Sequence, residues 1–147
     1  MAYSKIHNKG DWRHEEAVAS KAITPGMLCQ IVTDGRVQFH STQGGRAERL
    51  VAYEDALQGG TVDTAYAVGG QVMLALVEPG TVMNMLIAAG QNADPGEEVI
   101  SNGDGTLIVI GSQASAAINV QVIGRIDASE AAFTTLAANT LKAVRFV

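Results

Sequence analysis

The residues best suited to chemistry in this chain are three histidines and one cysteine. His7, His14 and His40 are not spaced to share a metal ion on one helix or in a zinc finger, so the sequence predicts no metal site and three ordinary surface histidines. Cys29 lies in an apolar run, which favours a small buried side chain over a reactive thiol. As the only cysteine, it has no disulfide partner within the chain.

Acidic residues near glycines or near each other are the next candidates. Residues 102–106, Asn-Gly-Asp-Gly-Thr, contain the residue types of a calcium loop. They lack the carboxylates at fixed offsets and the distant glutamate that an EF-hand requires, so they predict a tight glycine turn. The adjacent pairs at 15–16 and 97–98 are both Glu-Glu, and neighbours in an extended chain point to opposite sides. Neither pair is expected to act as a general acid and base.

One further motif, residues 60–66, resembles part of a nucleotide hydrolase. Its sequence Gly-Thr-Val-Asp-Thr-Ala-Tyr is similar to the G-x-I-D-x-x-Y motif of trimeric dUTPases. This resemblance implies that Asp63 and Tyr66 would shape a nucleoside pocket. The Arg-Gly-Glu that should follow the tyrosine is replaced by Ala-Val-Gly-Gly at 67–70, and the family's phosphate-binding serine motif and glycine-rich C-terminal arm are missing. A dUTPase-like hydrolase is therefore kept only as an alternative.

The elements that must position these residues are short strands between glycine and proline turns. Eleven turn signals occur at roughly even spacing, and runs of Val, Ile, Leu and Met lie between them. They are found at 24–26, 34–35, 44–45, 59–60, 69–70, 79–80, 90, 95–96, 103–105, 111 and 124. Glycine accepts positive φ and proline fixes φ, so each signal is expected to end a strand. The pattern predicts an all-β fold, a single compact β-barrel or β-sandwich with at most one or two short helices.

Apolar runs between the turns predict the individual strands. Residues 27–33 and 36–40 flank the dipeptide Asp34-Gly35, which is a strong signal for a β-hairpin. The other predicted strands are 71–78, 82–89, 99–100, 107–110, 118–123 and 144–147. Because the last of these is so apolar, we expect the C-terminus to be held in a sheet or an interface.

Two segments allow more than one interpretation. Residues 46–57 place apolar side chains at helical spacing but also contain a run that suits a strand, and we favour a strand that leads into a loop. Residues 129–139 could form a short helix with Ser129 as its N-cap, or an irregular loop.

The N-terminal segment, residues 1–20, differs in composition from the predicted β domain at 21–147. It is mostly polar and has few apolar side chains to bury, which predicts an extended arm that is mobile when free and ordered on a partner. Trp12, the only tryptophan, is expected to anchor that contact or to pack on its own domain. The residues predicted to contact the partner are Tyr3, Lys5, Lys9, Trp12 and Arg13.

Charge is distributed unevenly along the chain, whose net charge is −5. Residues 50–130 contain ten acidic residues and one basic residue, whereas residues 1–49 contain seven basic and five acidic residues. An acidic body disfavours nucleic-acid binding, which depends on clustered Lys and Arg. No apolar run is long enough to span a bilayer, so no membrane partner is expected.

A longer resemblance runs through residues 23–107. The segments that carry it, in order, are Ile-Thr-Pro-Gly-Met-Leu at 23–28, Asp-Gly-Arg-Val at 34–37, Gly-Gly-Arg-Ala at 44–47, Ala-Tyr-Glu-Asp at 52–55, Gly59, Val-Asp-Thr-Ala-Tyr-Ala-Val-Gly at 62–69, Ala-Gly at 89–90, Gly96, and Ser-Asn-Gly-Asp-Gly-Thr-Leu at 101–107. This order of turns and strands resembles the small capsid decoration, or cement, proteins of tailed bacteriophages.

That resemblance implies a structural virion protein without catalysis or cofactor. Such a protein is one compact β domain with extended termini, which binds the major capsid protein on the outer surface of the phage head. The resemblance also implies a homo-oligomer, with a trimer favoured. We therefore expect a protein made in the host cytoplasm and located on the capsid surface. A head-fibre or receptor-binding module would share the β-rich composition and stays open beside the dUTPase-like hydrolase.

Overall fold

The computed structural model of the chain describes residues 3–111 and 120–147. The strands are β1 (His7–Lys9), β2 (Trp12–Val18), β3 (Cys29–Ile31), β4 (Val37–Phe39), β5 (Leu50–Ala52), β6 (Gln71–Val77), β7 (Val82–Ile87), β8 (Glu98–Ser101), β9 (Leu107–Val109), β10 (Val122–Ile126) and β11 (Thr140–Phe146). Residues Ala56–Gln58 form a single turn of 3₁₀-helix, and no α-helix occurs in these ranges. The predicted all-β fold is confirmed.

Five strands close into a barrel in the order β7-β11-β10-β8-β9, and β9 pairs back with β7. All of these pairs are antiparallel except β7–β9, in which Ile87 pairs with Leu107 in parallel. Strand β1 also pairs with β7. Closure gives each barrel strand a partner on both sides, and this leaves no free edge in the barrel. The barrel alternative of the sequence prediction is thus the one found.

A second sheet, here called the open sheet, has the strand order β2-β6-β5. Strand β6 pairs antiparallel with β2 from Trp12↔Val77 to Val18↔Gln71. The outer side of β5 is covered, because Ala52 accepts a hydrogen bond from the Gly26 amide at 2.8 Å and donates one to the Met27 carbonyl at 3.1 Å. Strand β2 therefore forms the outer edge of this sheet.

Strand β6 separates two apolar cores. Its residues Ala75 and Val77 belong to the main core, which also contains Phe146 and the alternate β7 residues. The other face of β6, with Val72 and Leu74, packs in a second core with the β3–β4 hairpin. Burial on both faces explains why the sequence of β6 is nearly continuously apolar.

Local turn chemistry matches the sequence in the clearest cases. Strands β3 and β4 pair across the predicted hairpin, Gly35 has a φ of +83°, and Asp34 Oδ1 accepts a hydrogen bond from the Arg36 amide at 3.0 Å. In the ambiguous stretch 46–57, strand β5 leads into a loop with a short 3₁₀ turn, as favoured. For residues 129–139, the structure has the irregular loop and no helix.

The signal at Gly124 is not a turn, so that prediction is wrong. Gly124 lies inside β10, opposite Phe146 and next to an irregularity in the pairing with β8. A Cβ atom there would lie 2.8 Å from Val144 Cγ1 and 3.1 Å from the Arg145 carbonyl carbon, so glycine permits a close approach of two strands. The strand predicted at 118–123 begins only at Val122, and its first two residues lie outside the described ranges.

The N-terminal segment is extended, but it differs from the predicted free arm because it is hydrogen-bonded into the body. Strand β1 pairs with β7 and β2 pairs with β6. Ile6 is fully buried in the main core, and the Ser20 amide donates to the Val37 carbonyl at 2.8 Å. Strand pairing satisfies the backbone of a polar segment without requiring many apolar side chains. Strands β1 and β2 of this segment are therefore paired with strands of the β domain.

Candidate partner-binding site

The structure brings together two of the five residues predicted to contact a partner. Lys5 and Trp12 line one groove, here called the Trp12 groove. Tyr3, Lys9 and Arg13 lie elsewhere on the surface. The predicted contact set is thus divided among different faces of the molecule.

The Trp12 groove has a volume of about 440 Å³ and lies on one face of the open sheet. It is lined by Lys5, His7, alternate residues of β2, residues 53–57 and Met73. Because successive side chains of a strand point to opposite faces, Trp12 is joined by the second and fourth residues after it, His14 and Glu16. The groove therefore depends on β2 being a regular strand.

An aromatic cluster forms the base of the groove. The rings of Trp12 and Tyr53 meet edge to face, with centroids 4.9 Å apart and an interplanar angle of 62°. The centroid of the His7 ring lies 5.9 Å from that of the indole, with an interplanar angle of 57°. Edge-to-face pairs of this kind contribute about 0.5–1.5 kcal/mol beyond area burial. Trp12 stays only partly buried, so its ring is held in place while remaining accessible from the groove.

A polar chain crosses the same cluster. His14 Nδ1 is hydrogen-bonded to the Tyr53 hydroxyl, and His14 Nε2 lies 3.3 Å from Glu16 Oε2. Burial raises the pKa of Tyr53, and the carboxylates of Glu16, Asp55 and Glu54 raise this pKa further. A phenol with a raised pKa remains protonated at neutral pH and is a poor nucleophile. The arrangement orients these side chains and offers hydrogen bonds to a ligand.

The rim of the groove combines an exposed apolar side chain with carboxylates. Leu57, in the 3₁₀ turn, is 97% exposed. Asp55 and Glu54 lie two and three residues before it in the chain, and Glu54 Oε2 accepts a hydrogen bond from the Ile6 amide at 3.1 Å. A half-buried aromatic base with an apolar and acidic rim is typical of a protein contact surface.

Lys9 is used within the chain. Its Nζ lies 3.9 Å from Asp127 Oδ2, and the Arg145 guanidinium donates to Asp127 Oδ1 at 2.9 Å. The Ser129 hydroxyl donates to the other carboxylate oxygen at 2.5 Å. Burial alone would raise the pKa of Asp127, but the hydrogen bonds from Ser129 and the charges of Lys9 and Arg145 outweigh it and hold this pKa below its ordinary value. This cluster ties the N-terminal segment to the barrel.

Tyr3 and Arg13 also lie away from the groove. Tyr3 borders a smaller depression with Leu141, and burial together with the nearby Glu130 carboxylate raises its pKa. Arg13 is paired with Leu76 in the β2–β6 register, on the face of β2 opposite Trp12. Its side chain forms no ion pair within the described ranges and points away from the groove.

The two residues of the dUTPase-like motif have separate environments. Asp63 is exposed in a turn, where its amide donates to Thr61 Oγ1 at 3.3 Å. Tyr66 packs against the second core, and its hydroxyl donates to the Tyr53 carbonyl at 2.5 Å. Burial raises the pKa of Tyr66 to about 12. The hydroxyl of Tyr66 is thus committed to a backbone contact.

His40 is not a surface histidine, which corrects the sequence prediction. It is 2% exposed, its Nδ1 lies 2.6 Å from Ser101 Oγ, and its Nε2 lies 2.8 Å from the Arg46 carbonyl. A carbonyl can only accept, so Nε2 carries a proton and donates it to the Arg46 carbonyl. Its partner Ser101 is 61 residues away in sequence, so local pattern gave no signal for this burial.

Two other sequence interpretations are confirmed. In residues 102–106, Asp104 Oδ1 accepts hydrogen bonds from the Thr106 amide at 3.0 Å and hydroxyl at 2.5 Å, so the carboxylate closes a turn. Cys29 is fully buried, and burial raises its pKa to about 12. Within the described ranges, no group of three or more His, Cys, Asp or Glu is placed to hold a metal ion.

Several groove residues were missed by sequence reasoning. The alternation along β2 carried a signal for His14 and Glu16, because both share a face with Trp12. Tyr53 and Met73 carried none, since they reach the groove through a contact between distant segments, in which the Tyr53 amide donates to the Met73 carbonyl at 3.0 Å. Leu57 could be recognised only once its exposure was known.

Comparison with protein-family models gives no match, and no curated protein matches the chain. Across the described residues, no helix has the length and apolar character needed to cross a membrane. The interpretation of the Trp12 groove therefore depends on its own geometry.

Proposed function

We propose that this chain is a structural virion protein, a capsid decoration or cement protein that binds the outer surface of a tailed-phage head. Its partners are the major capsid protein and further copies of itself, with a trimer favoured. In this role it stabilises the shell and carries out no catalysis, and no cofactor, nucleic acid or membrane takes part.

The observation that carries the proposal is the position of the glycines in the long resemblance. Gly26, Gly35, Gly59, Gly90 and Gly103 all have positive φ, a conformation that other residues rarely adopt. The motifs that resemble decoration proteins are therefore the turns that set the order of the strands. The resemblance then concerns the architecture of the domain, which supports a shared structural role.

The surface gives independent support to a binding role. The Trp12 groove offers an aromatic base and an apolar rim, which suit a contact with another protein. The acidic charge of residues 50–130 suits a body that faces solvent and keeps particles apart. A compact, closed barrel is also suited to a protein that must withstand conditions outside a cell.

Binding to phage heads tests the proposal directly. Heads of the phage that encodes this chain, assembled after deletion of its gene, are mixed with the purified protein and sedimented. We expect saturable co-sedimentation, a regular arrangement on the shell in a cryo-image reconstruction, and heads that resist a higher temperature. Binding to host cells without binding to heads would instead identify a head-fibre or receptor-binding module.

A nucleotide assay tests the enzymatic alternative. We expect no dUTP turnover by the protein, and we expect Asp63→Ala to change the free energy of unfolding by less than about 0.5 kcal/mol, because Asp63 is exposed. Measurable hydrolysis that is abolished by Asp63→Ala would overturn the structural role in favour of a dUTPase-like hydrolase.

A further inference from the structure

From Trp12 to Glu16, strand β2 has an edge that no described strand pairs with, whereas just beyond β2 Ala19 pairs with Val37. The Asp11 carbonyl accepts from the Glu78 amide at 3.1 Å, and the Ala19 amide donates to the Gly70 carbonyl at 2.8 Å. These bonds fix the pairing pattern at both ends of the β2–β6 ladder, in which bonded and non-bonded pairs alternate. The backbone groups that point away from β6 are those of residues 12, 14, 16 and 18, of which residues 12, 14 and 16 lie clear of the Ala19–Val37 pairing.

The free edge and the Trp12 groove are built from the same residues. Trp12, His14 and Glu16 direct their side chains to the groove and their backbone N–H and C=O groups away from β6. An extended peptide placed beside β2 would pair with these groups and would lay every second side chain over the groove. Pairing with the free edge therefore requires an extended ligand backbone, and the groove determines which side chains of that ligand fit.

Charge restricts the ligand further. Three carboxylates border the groove, those of Glu16, Glu54 and Asp55, against the single ammonium of Lys5. A basic side chain opposite Glu16 and apolar side chains near the indole would complement this surface. A second copy of the chain would bring its own acidic groove to the same edge, so self-pairing is disfavoured.

We infer that the free edge of β2 and the Trp12 groove form a docking site for an extended strand of another protein, with a basic and apolar face toward the groove. The inference rests on the proposed function in one respect, that the shell protein supplies this strand. The docked strand would become the fourth strand of the open sheet, whose order is now β2-β6-β5.

A designed peptide tests the site without phage heads. Acetyl-Thr-Lys-Thr-Val-Thr-Leu-Thr-amide, added antiparallel, can place its Lys opposite Glu16 and its Leu opposite Trp12. Since Trp12 is the only tryptophan, its fluorescence reports binding. We expect a saturable change in fluorescence and slower hydrogen exchange at the His14 and Glu16 amides. The Glu15 amide, which faces β6, should not change.

Two control peptides separate strand pairing from simple adhesion. N-methylation of the Lys, Val and Leu amides removes the donors that would meet β2, and we expect this peptide not to bind. In the second control, Lys of the unmethylated peptide is replaced by Glu, and this should weaken binding about fivefold or more because the new carboxylate lies opposite Glu16. Absence of binding by the first peptide, or equal binding by its N-methylated form, would overturn the inference.

A pair of variants tests the same edge from the side of the protein. Glu16→Pro removes an outward N–H and leaves the bonds to β6 intact, whereas Glu16→Ala removes only the carboxylate. We expect Glu16→Pro to bind the peptide at least about tenfold more weakly than Glu16→Ala does. If the proline variant does not fold, the N-methylated peptide still tests the pairing on the unchanged protein.

The two proposals fail in different ways. Heads that bind the native protein and both Glu16 variants equally would overturn the docking site and leave the decoration role in place. Peptide binding at β2 without any binding to heads would leave the docking site in place and contradict the decoration role. A dimer that protects the Glu16 amide as protein concentration rises would show that a second copy occupies the edge, against the inference.

Discussion

Every strand of the barrel has partners on both sides, whereas β2 in the open sheet has a partner on one side only. In β7, five of the six residues are buried, but no residue of β2 is fully buried. The barrel thus satisfies its own backbone and removes its apolar surface from water, while the open sheet leaves both an edge and a groove exposed. We therefore expect substitutions in the barrel to change mainly stability and substitutions in the open sheet to change mainly partner binding.

The two regions also treat polar residues differently. In β7 the buried Asn84 is satisfied, since its side-chain amide donates to the Lys5 carbonyl at 2.8 Å. In β2, Arg13, Glu15 and Glu16 are exposed. Charged side chains on an edge strand discourage indiscriminate pairing with other strands, so a free edge can persist in solution and still accept a complementary strand.

The largest effect is expected from opening the barrel core. Phe146 is 1% exposed at the end of β11, and Phe146→Ala should lower the free energy of unfolding by about 3–5 kcal/mol, because it leaves a cavity in the main core. Urea unfolding measures this change. The control is Val147→Ala, whose side chain is half exposed and whose expected effect is within about 0.5 kcal/mol.

If Phe146→Ala had no such effect, the barrel could no longer be contrasted with the open sheet as the stabilising part of the molecule. A Phe146→Ala protein as stable as the Val147→Ala protein would mean that packing of Phe146 in the main core contributes little to stability. The folded fraction of Phe146→Ala should bind the strand peptide with native affinity, since the groove residues are unchanged.

The local turns of this architecture could be predicted from the sequence, but the closure of the barrel could not. The dipeptide Asp34-Gly35 predicts a hairpin because turn geometry depends on adjacent residues only. Pairing of Ile87 with Leu107, which closes the barrel, joins segments that no local pattern connects. Gly124 shows the limit most clearly, because the same residue type serves a turn in one place and a close strand approach in another.

The candidate site was predictable to a similar degree. Trp12 and Lys5 could be singled out, since an isolated tryptophan in a polar segment suggests a contact. The Tyr53 ring that orients the indole lies 41 residues further along the chain, so its part in the groove depends on the fold. The free edge of β2 likewise follows from strand order, which local pattern does not specify.

A smaller effect is expected where the N-terminal segment meets the barrel. Asp127→Asn removes the charge that holds Lys9 and Arg145, and at pH 7 it should lower the free energy of unfolding by about 1–3 kcal/mol. The folded-state pKa of Asp127 is lowered, so its contribution is fully present above the unfolded pKa of about 4 and is lost as pH falls through the folded pKa. Urea unfolding at neutral pH and below pH 4 measures both values.

The control for Asp127 is an exposed carboxylate. Asp34 is 61% exposed on its side chain and lies 3.8 Å from the Arg36 guanidinium, so Asp34→Asn should change stability by less than about 0.5 kcal/mol at either pH. Equal losses for the two variants, or a loss for Asp127→Asn that grows in acid, would contradict the assigned role of the buried ion pair. Either result would mean that the contacts of Asp127 with Lys9 and Arg145 do not stabilise the attachment of the N-terminal segment to the barrel.

The smallest effect on stability is expected at Trp12, where the effect on binding should be large. Truncation of residues 1–14 cannot isolate this role, because it would also remove Ile6 from the main core and the first part of β2. Trp12→Ala loses the edge-to-face contact with Tyr53 and the packing of a partly buried ring on the main core, and it should lower the free energy of unfolding by about 1–2 kcal/mol. Loss of an aromatic anchor should weaken binding of the strand peptide by about 2 kcal/mol, or roughly thirtyfold.

The control is Trp12→Phe, which keeps a ring at this position and should retain most of the affinity. Isothermal titration calorimetry measures both variants, and native affinity in Trp12→Ala would move the docking surface away from the groove.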